Sequence, residues 1–345
     1  MIKILLTVII VFLLINYSFS QEKKYNALCV AFYNVENFFD TINDPNKNDE
    51  EFLPNGKNHW NSKKYFKKIE NLSKVIIGIG DEIQAKGPVV IGVCEVENDK
   101  VLEDLVASPA LAPLNYGFVH IDGPDLRSVD VALLYQKQHF TVTNTRSVTL
   151  KIPGKDDWHT RDQLVVSGLL DGEPVHFIVN HWPSRRGGEE SSAPLRNAAA
   201  DLCRSIADSI MKTDANAKII IMGDLNDDPT NNSLTKHLKA KSVDTKTKPG
   251  NFFNPMYKML KNDGIGSLAY RDKWNLFDQI IVSQPFLEQD KSSYRFLKAM
   301  VFNKNYLIQK DGNYAGYPFR TYVGTMYMSG YSDHFPVYII LVKEK

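Results

Sequence analysis

Six short segments set acids, amides and histidines at the ends of apolar runs. They are Asn34-Val35-Glu36-Asn37, Glu95-Val96-Glu97-Asn98, Asn180-His181-Trp182, Gly223-Asp224-Leu225-Asn226, Phe277-Asp278 and Ser332-Asp333-His334. Carboxylate and amide oxygens suit a hard divalent cation such as Mg²⁺, Mn²⁺ or Ca²⁺, and no Cys or His cluster has the spacing of a zinc site. Mg²⁺ takes only one or two carboxylates and keeps several waters, which leaves positions for a phosphate oxygen. The chemistry within reach is therefore metal-assisted hydrolysis of a phosphoester. Glu95 is the expected principal ligand. His334 directly follows Asp333, and with Asp278 orienting its ring it is placed to accept a proton from water or to donate one to the phosphoryl group. Asp224 and Asn226 would position the attacking water, and His181 would stabilise the oxyanion.

For these segments to meet, each must sit at the same end of a sheet. Ala27 to Tyr33 reads as a strand, and Ser62 to Lys86 carries Tyr65, Phe66, Ile69, Leu72, Val75, Ile76, Ile79 and Ile83 at the spacing of an amphipathic helix. Strands are expected at 89–94, 116–121, 129–135, 140–150, 164–170, 175–180, 218–222, 277–282 and 337–342, with a second long helix over about 190–211. Helices recur between strands, yet several strands follow one another through turns such as Asp171-Gly172. This predicts mixed sheets covered by helices on their outer faces. Two aperiodic stretches, Lys239 to Lys273 and Asn303 to Gly330, are expected as long loops on the functional rim.

The bulk numbers restrict the setting. Met1 to Ser20 has one Lys, an apolar run from Ile4 to Ile15 and small residues at Ser18 and Ser20, the pattern of a secretory signal cleaved after Ser20; the run is too short to span a bilayer comfortably. A single domain over 21–345 follows, secreted or periplasmic, with no membrane span after cleavage and expected to be a monomer. Of 41 Lys plus Arg, one lies in the leader, so the mature chain balances its 40 acids. A neutral chain does not advertise a polyanion by its global field. Three cysteines do not make a disulfide framework and are expected as buried free thiols.

Each motif alone has a bland reading. The Gly223-Asp224-Leu225-Asn226 segment alone is equally an Asx turn, and an isolated Ser332-Asp333-His334 is equally a cap. Together, the ordered segments YNVEN, CEVEN, VNHWP, GDLND, FDQIIVS and YSDHFPV resemble the motif series of the endonuclease/exonuclease/phosphatase superfamily, over about Ala27 to Val342. The NHWPSRRGG and PFRTYVGT segments resemble those of its secreted bacterial members. The resemblance implies a DNase I-like four-layer α/β sandwich with its site at one end of two packed sheets. It makes Asn34 and Glu95 metal-site residues, Glu36 a further candidate and Asp333 a metal-side acid. His181 would stand near the scissile phosphate, Asp224 and Asn226 would handle nucleophile and phosphate, and Asp278 would support His334.

Substrate choice would lie in the rim. Arg185 and Arg186, beside Gly187-Gly188, suit bidentate phosphate contact, although a solvated loop explains them equally. Arg320 sits among tyrosines that would either stack nucleobases or pack the loop onto the sandwich. The basic stretch Lys57 to Lys68 is usually a solvated helix face. The expected activity is that of an exported nuclease acting on DNA or RNA. A phosphatase or sphingomyelinase-type enzyme on the same core is the alternative, and a non-catalytic binding module is disfavoured because no motif position carries an inert residue.

Overall fold

The computed structural model describes residues 24–345, so the expected leader and its cleavage point lie outside the described residues. Among the described residues, seventeen strands form. They are β1 (Tyr25–Phe38), β2 (Val90–Val96), β3 (Tyr116–His120), β4 (Asp130–Gln136), β5 (Phe140–Val148), β6 (Gln163–Leu170), β7 (Glu173–His181), β8 (Ile219–Asp224), β9 (Ala240–Lys241), β10 (Phe252–Phe253), β11 (Leu268–Tyr270), β12 (Lys273–Asn275), β13 (Asp278–Ser283), β14 (Arg295–Val301), β15 (Tyr322–Val323), β16 (Met326–Tyr327) and β17 (Val337–Glu344). The α-helices of the described residues are α1 (Ser62–Gly78), α2 (Asp99–Val106), α3 (Glu189–Thr213) and α4 (Met256–Asp263).

One sheet has the order β14-β17-β1-β2-β4-β3, the other β5-β6-β7-β8-β13-β10-β9. Both are mixed: β1 runs parallel to β2 and β7 parallel to β8, while β17, β4, β6 and β13 pair antiparallel with their neighbours. The inner faces of the two sheets bury Val30, Phe32, Cys94, Phe177, Val179, Met222, Ile280 and Ile339 against one another. Leu72, Val75 and Ile76 of α1 and Leu102 and Leu105 of α2 cover the first sheet. Ala199, Cys203, Ile206 and Ala207 of α3 cover the second, which makes four layers.

Local chemistry sets the ends of these elements. The Asn61 side chain accepts from Lys64 N and caps α1, a contact worth about 1 kcal/mol. Glu189 and Glu190 open α3 and Lys212 closes it, complementing its dipole. Gly223 is required by close approach, since a Cβ there would lie 2.4 Å from the Asn180 carbonyl oxygen. All three cysteines are free and buried, and among the described residues no helix is long and apolar enough to cross a membrane.

At the end remote from the motif residues, Glu173 joins the two sheets. Its carboxylate accepts from Lys218 Nζ and Lys343 Nζ at 2.9 Å each, from Ser293 Oγ at 2.5 Å and from Tyr294 N at 3.0 Å. Burial opposes ionisation, but the Ser293, Lys343 and Lys218 hydrogen bonds outweigh it and draw the carboxyl down to about 2. A depressed carboxyl stabilises the fold above its unfolded pKa and loses that contribution as pH falls towards the folded value. Glu173→Gln should therefore lower Tm at pH 7, by the equivalent of up to about 1 kcal/mol for a partly solvated ion pair network, and the gap should close as pH approaches 2. A gap independent of pH in thermal melts would assign the loss to packing.

Candidate active site

Strand register places three of the predicted residues in one row. His181 lies opposite Asp224 across β7 and β8, and Asp224 lies opposite Asp278 across β8 and β13. The first sheet supplies the other wall: Asn34 pairs with Cys94 across β1 and β2, the register then shifts, and Glu95 follows with φ 64°. The Asn34 amide bridges the sheets, donating to Glu95 Oε1 and to Asp224 Oδ2 at 3.1 Å each. Glu95 Oε2 accepts from Asn37 N at 2.9 Å. Glu36, Asn37, Glu95 and Asn226 are non-glycine residues at φ 52°, 48°, 64° and 49°. Such conformations cost about 1–3 kcal/mol each and persist where the surroundings over-determine them, commonly at functional sites.

His334 Nδ1 lies 2.7 Å from Asp278 Oδ2, and its Nε2 lies 4.0 Å from both Asp224 Oδ2 and Asp333 Oδ1. His181 Nε2 lies 3.7 Å from Asp224 Oδ2 and 4.0 Å from Glu95 Oε1. The two histidines thus face one buried aspartate from opposite sides. Their charges diverge. Burial alone would lower His334, but Asp278 outweighs it and holds the ring well above the usual imidazole range. Burial, reinforced by Arg161 and Arg127, pushes His181 well below it. Burial, with Asp278 and Glu95 adding and His334 opposing, raises Asp224 to about 6.

This donor set fits a divalent ion. Glu95 and Asp224 share one amide bridge, and like charges crowd Asp224, a repulsion that a bound cation would relieve. His181 Nδ1 and Asp278 Oδ1 are buried without partners. Among the described residues, Cys94, His181 and Asp224, and separately Asp224, Asp278 and His334, each bring ligand atoms within 4.8 Å of one another. The first group is the poorer one, because burial raises the Cys94 thiol well above its ordinary value and keeps it protonated.

Asn34, Glu95, His181, Asp224, Asp278, Asp333 and His334 therefore come together as expected, with Asp333 at the rim. Asn226 joins them through its backbone, its N–H donating to Asp224 Oδ1 at 3.0 Å, while its side chain donates to Trp182 O at 3.0 Å. Two expectations need correction. Glu36 does not turn to the ion site: its Oε2 accepts from Thr321 N at 2.7 Å and lies 3.8 Å from the buried Lys68 Nζ, and burial and Asp333 raise it to about 7. It anchors the 321 loop. Arg185 is not free to clamp a phosphate, because Nε donates to Asn226 O at 2.9 Å, Nη2 to Asp227 Oδ1 and Asn231 Oδ1 at 3.2 Å each, and Nη1 pairs with Glu189 at 2.7 Å. Its guanidinium also lies over Phe277. Arg185→Ala should consequently lower Tm and kcat by loosening the Asn226 turn; a change confined to KM would restore the clamp.

Arg186 is exposed and makes no hydrogen bond or ion pair among the described residues. Arg320 lies over Tyr314, has a buried Nε without a partner, and lines a cavity of about 500 Å³ with Glu36 and Asp333. Sequence reading missed three supporting residues. Arg161 donates to His181 O at 3.1 Å and Trp182 O at 2.5 Å. Ser332 Oγ donates to Asn34 O at 2.7 Å and receives His334 N at 3.1 Å. Ser267 Oγ donates to Asp278 Oδ2 at 2.5 Å. Ser332 stood inside a quoted motif; Arg161 and Ser267 lie outside all of them, and no local signal marks them. Ser267→Ala should lower kcat about tenfold while KM holds, as expected when a positioning hydrogen bond is lost; a normal kcat would leave Ser267 a purely structural contact.

The family model described as Endonuclease/Exonuclease/phosphatase family matches residues 29–343. No curated protein matches the chain by sequence. Solved structures match over nearly the whole fold. The TDP2 of D. rerio complexed with a single-strand DNA product aligns at TM-score 0.54 and 12% identity, covering 92% of this chain and 99% of that one. The mannosyl-6-phosphatase Bt3783 of Bacteroides thetaiotaomicron aligns at TM-score 0.52 and 17% identity, covering 91% and 99%. The human Nocturnin catalytic domain with bound sulfate aligns at TM-score 0.50 and 16% identity, covering 94% and 98%. With two helix-flanked mixed sheets of DNase I-like fold and a family match across both, the chain belongs to the endonuclease/exonuclease/phosphatase family of metal-dependent phosphoester hydrolases.

Proposed function

We propose that the protein is an exported, Mg²⁺- or Mn²⁺-dependent phosphodiesterase that hydrolyses nucleic acid by activated water. The observation that carries this reading is the buried row His181, Asp224, Asp278, joined to Glu95 through Asn34 and to His334 through Asp278. Glu95 and the rim acid Asp333 would hold the ion, with the Asn34 amide orienting Glu95 at 3.1 Å. When bound, the ion supplies polarisation of the phosphoryl group and neutralises charge on the leaving oxygen.

The residues of the chain do the rest. Asp224, buried between the two histidines with Oδ1 accepting from Asn226 N, is placed to take a proton from a water held near it and Asn226. His334, kept protonated by Asp278, donates its Nε2 proton to a phosphoryl oxygen as negative charge develops there. His181, kept neutral, contributes a hydrogen bond to the same group without adding a second positive charge to the site. Export rests on the leader pattern of Met1 to Ser20.

A phosphatase is the second reading. The cavity beside Glu36 and Asp333, lined by Asn58, Thr321 and Thr325 as well as Arg320, would seat a polyhydroxylated alcohol, and the likeness to a mannosyl-6-phosphatase is compatible with that. Purified mature protein should be offered plasmid DNA, RNA, sphingomyelin and a phosphomonoester, with and without EDTA. Plasmid or RNA cleavage abolished by EDTA is the expected result. Release of phosphate from the monoester alone would replace the nuclease by the phosphatase.

A further inference from the structure

A second cleft, of about 540 Å³, opens beside Phe277, the residue before Asp278, within the size range of about 300–1,000 Å³ usual for ligand pockets. One wall is the hairpin β11–β12; the other is the turn at Gly187 and Gly188 that leads into α3, where φ values of 84° and 121° leave bare backbone facing the cleft. The hairpin has the composition of a polyanion-binding surface. Tyr270 is 64% exposed, Arg271 rests over its ring, and neither the Arg271 side chain nor the exposed Lys273 ammonium has a hydrogen bond or ion pair among the described residues. At the cleft floor Asn275 is 5% exposed and its Oδ1 has no partner. Of the nearby acids, Asp272 accepts from the Tyr317 hydroxyl at 2.7 Å, Glu189 pairs with Arg185, and Asp228 accepts from Leu276 N at 2.8 Å and attracts Lys273 from a distance. Neither cation is in an ion pair with them among the described residues, so both can close on an external anion.

The hairpin is also registered to the catalytic row. Ser267, at its base, donates to Asp278 Oδ2 and its carbonyl accepts from Phe335 N at 2.7 Å, while Trp274 stacks on Phe335 with centroids 6.0 Å apart. Tyr317 holds the tip by accepting from Asp272 N at 2.6 Å. The arm is thus fixed relative to the reacting centre from both ends.

We propose that this cleft seats the nucleotide adjoining the scissile phosphodiester, with its phosphate between Arg271 and Lys273 and its base against Tyr270. The inference rests on the nuclease reading and deepens it: the substrate is a strand that extends past the reacting phosphate. Aromatic stacking tolerates any base and guanidinium and ammonium groups track the backbone, so the subsite favours chain length over sequence.

The test compares Tyr270→Ala and Lys273→Ala with wild type on a dodecanucleotide and on bis(p-nitrophenyl) phosphate, which is too small to reach the hairpin. Each variant should raise KM for the oligonucleotide about tenfold, leaving kcat for the small ester within about twofold, and Lys273→Ala should cut the salt slope of single-strand binding by about 0.7. Equal losses on both substrates would reduce the hairpin to a support for Asp278, and unchanged oligonucleotide kinetics would empty the cleft of its role. A wild-type protein that cleaves the small ester and no polynucleotide would overturn the nuclease reading instead. In that event, labelled dodecanucleotide binding in EDTA decides the cleft separately: wild-type affinity retained in both variants, or no binding at all, overturns it.

Discussion

Replacing His334 by alanine is expected to lower kcat at least about a hundredfold, the scale of losing a positioned proton donor in the transition state. The imidazole is 8% exposed, so the protein must be shown to fold by an unchanged circular dichroism spectrum before the rate is read. Asp278 supplies the internal control. It lies 2.7 Å from Nδ1 and reaches substrate only through His334, so Asp278→Asn should cost less than His334→Ala, and the double variant should cost little more than the histidine change alone. If the two losses multiplied independently, Asp278 would act on the substrate directly and the paired assignment would fall. Near-normal turnover in His334→Ala would remove the residue from the chemistry altogether.

The parts of this assembly that the sequence revealed are those governed by short-range patterns. Apolar runs gave the central strands, and the polar residues just past them gave the row His181, Asp224 and Asp278, because a strand end is a local signal and sheet packing brings such ends to one rim. The first helix was legible by its spacing but stops at Gly78 rather than Lys86: Ile79 leaves helical geometry and Gly80 turns the chain at φ 88°. The α2 helix was hidden inside a functional motif, since Asn98 caps it by accepting from Val101 N at 3.1 Å. Strand β14 lies at a sheet edge with a bulge at Phe296 to Lys298 and exposes Leu297 by 50%, so it carries no alternation to read.

The stretch 239–273 read as loop holds α4 and short strands, whereas the rim segment before Ser332 is largely loop, its tyrosines packed in pairs such as Tyr306 with Tyr331 and Tyr322 with Tyr327. Arg185 and Glu36 failed for one reason. Each was chosen for its side-chain type, and each is claimed by partners distant in sequence, Asp227 and Asn231 in one case, Lys68 and Thr321 in the other.

The second large effect is expected at Asp224, where a variant should lose activity while its stability relative to wild type rises with pH. Asp224→Asn keeps the size of the side chain, and its amide oxygen is able to accept from Asn226 N as Oδ1 does at 3.0 Å, but its NH2 replaces the oxygen that accepts from Asn34 at 3.1 Å, a loss independent of pH, and the carboxylate that faces both histidines is gone. Turnover should fall by about 10²–10⁴-fold for loss of the base. In EDTA, however, the variant should gain stability relative to wild type as pH rises to neutral, over a constant loss from the missing Asn34 hydrogen bond. The folded carboxyl is raised from 3.8 to about 6, so ionising it costs the native state more than the unfolded chain. That cost is absent below about 3.8, where the carboxyl is protonated in both states, grows as the unfolded chain ionises between 3.8 and 6, and is complete above 6. The asparagine never incurs it. The Tm gap should therefore open between pH 4 and 7, and divalent ion should narrow it by stabilising the wild-type protein more than the variant, because ligand that binds only the native state adds to stability. A Tm difference that stays constant with pH would show that ionising the carboxylate costs the native state nothing, and Asp224 would no longer count as a strained charge. The expected outcome, a nearly inactive protein whose relative stability rises with pH, would mark Asp224 as a charge kept in an unfavourable place for catalysis.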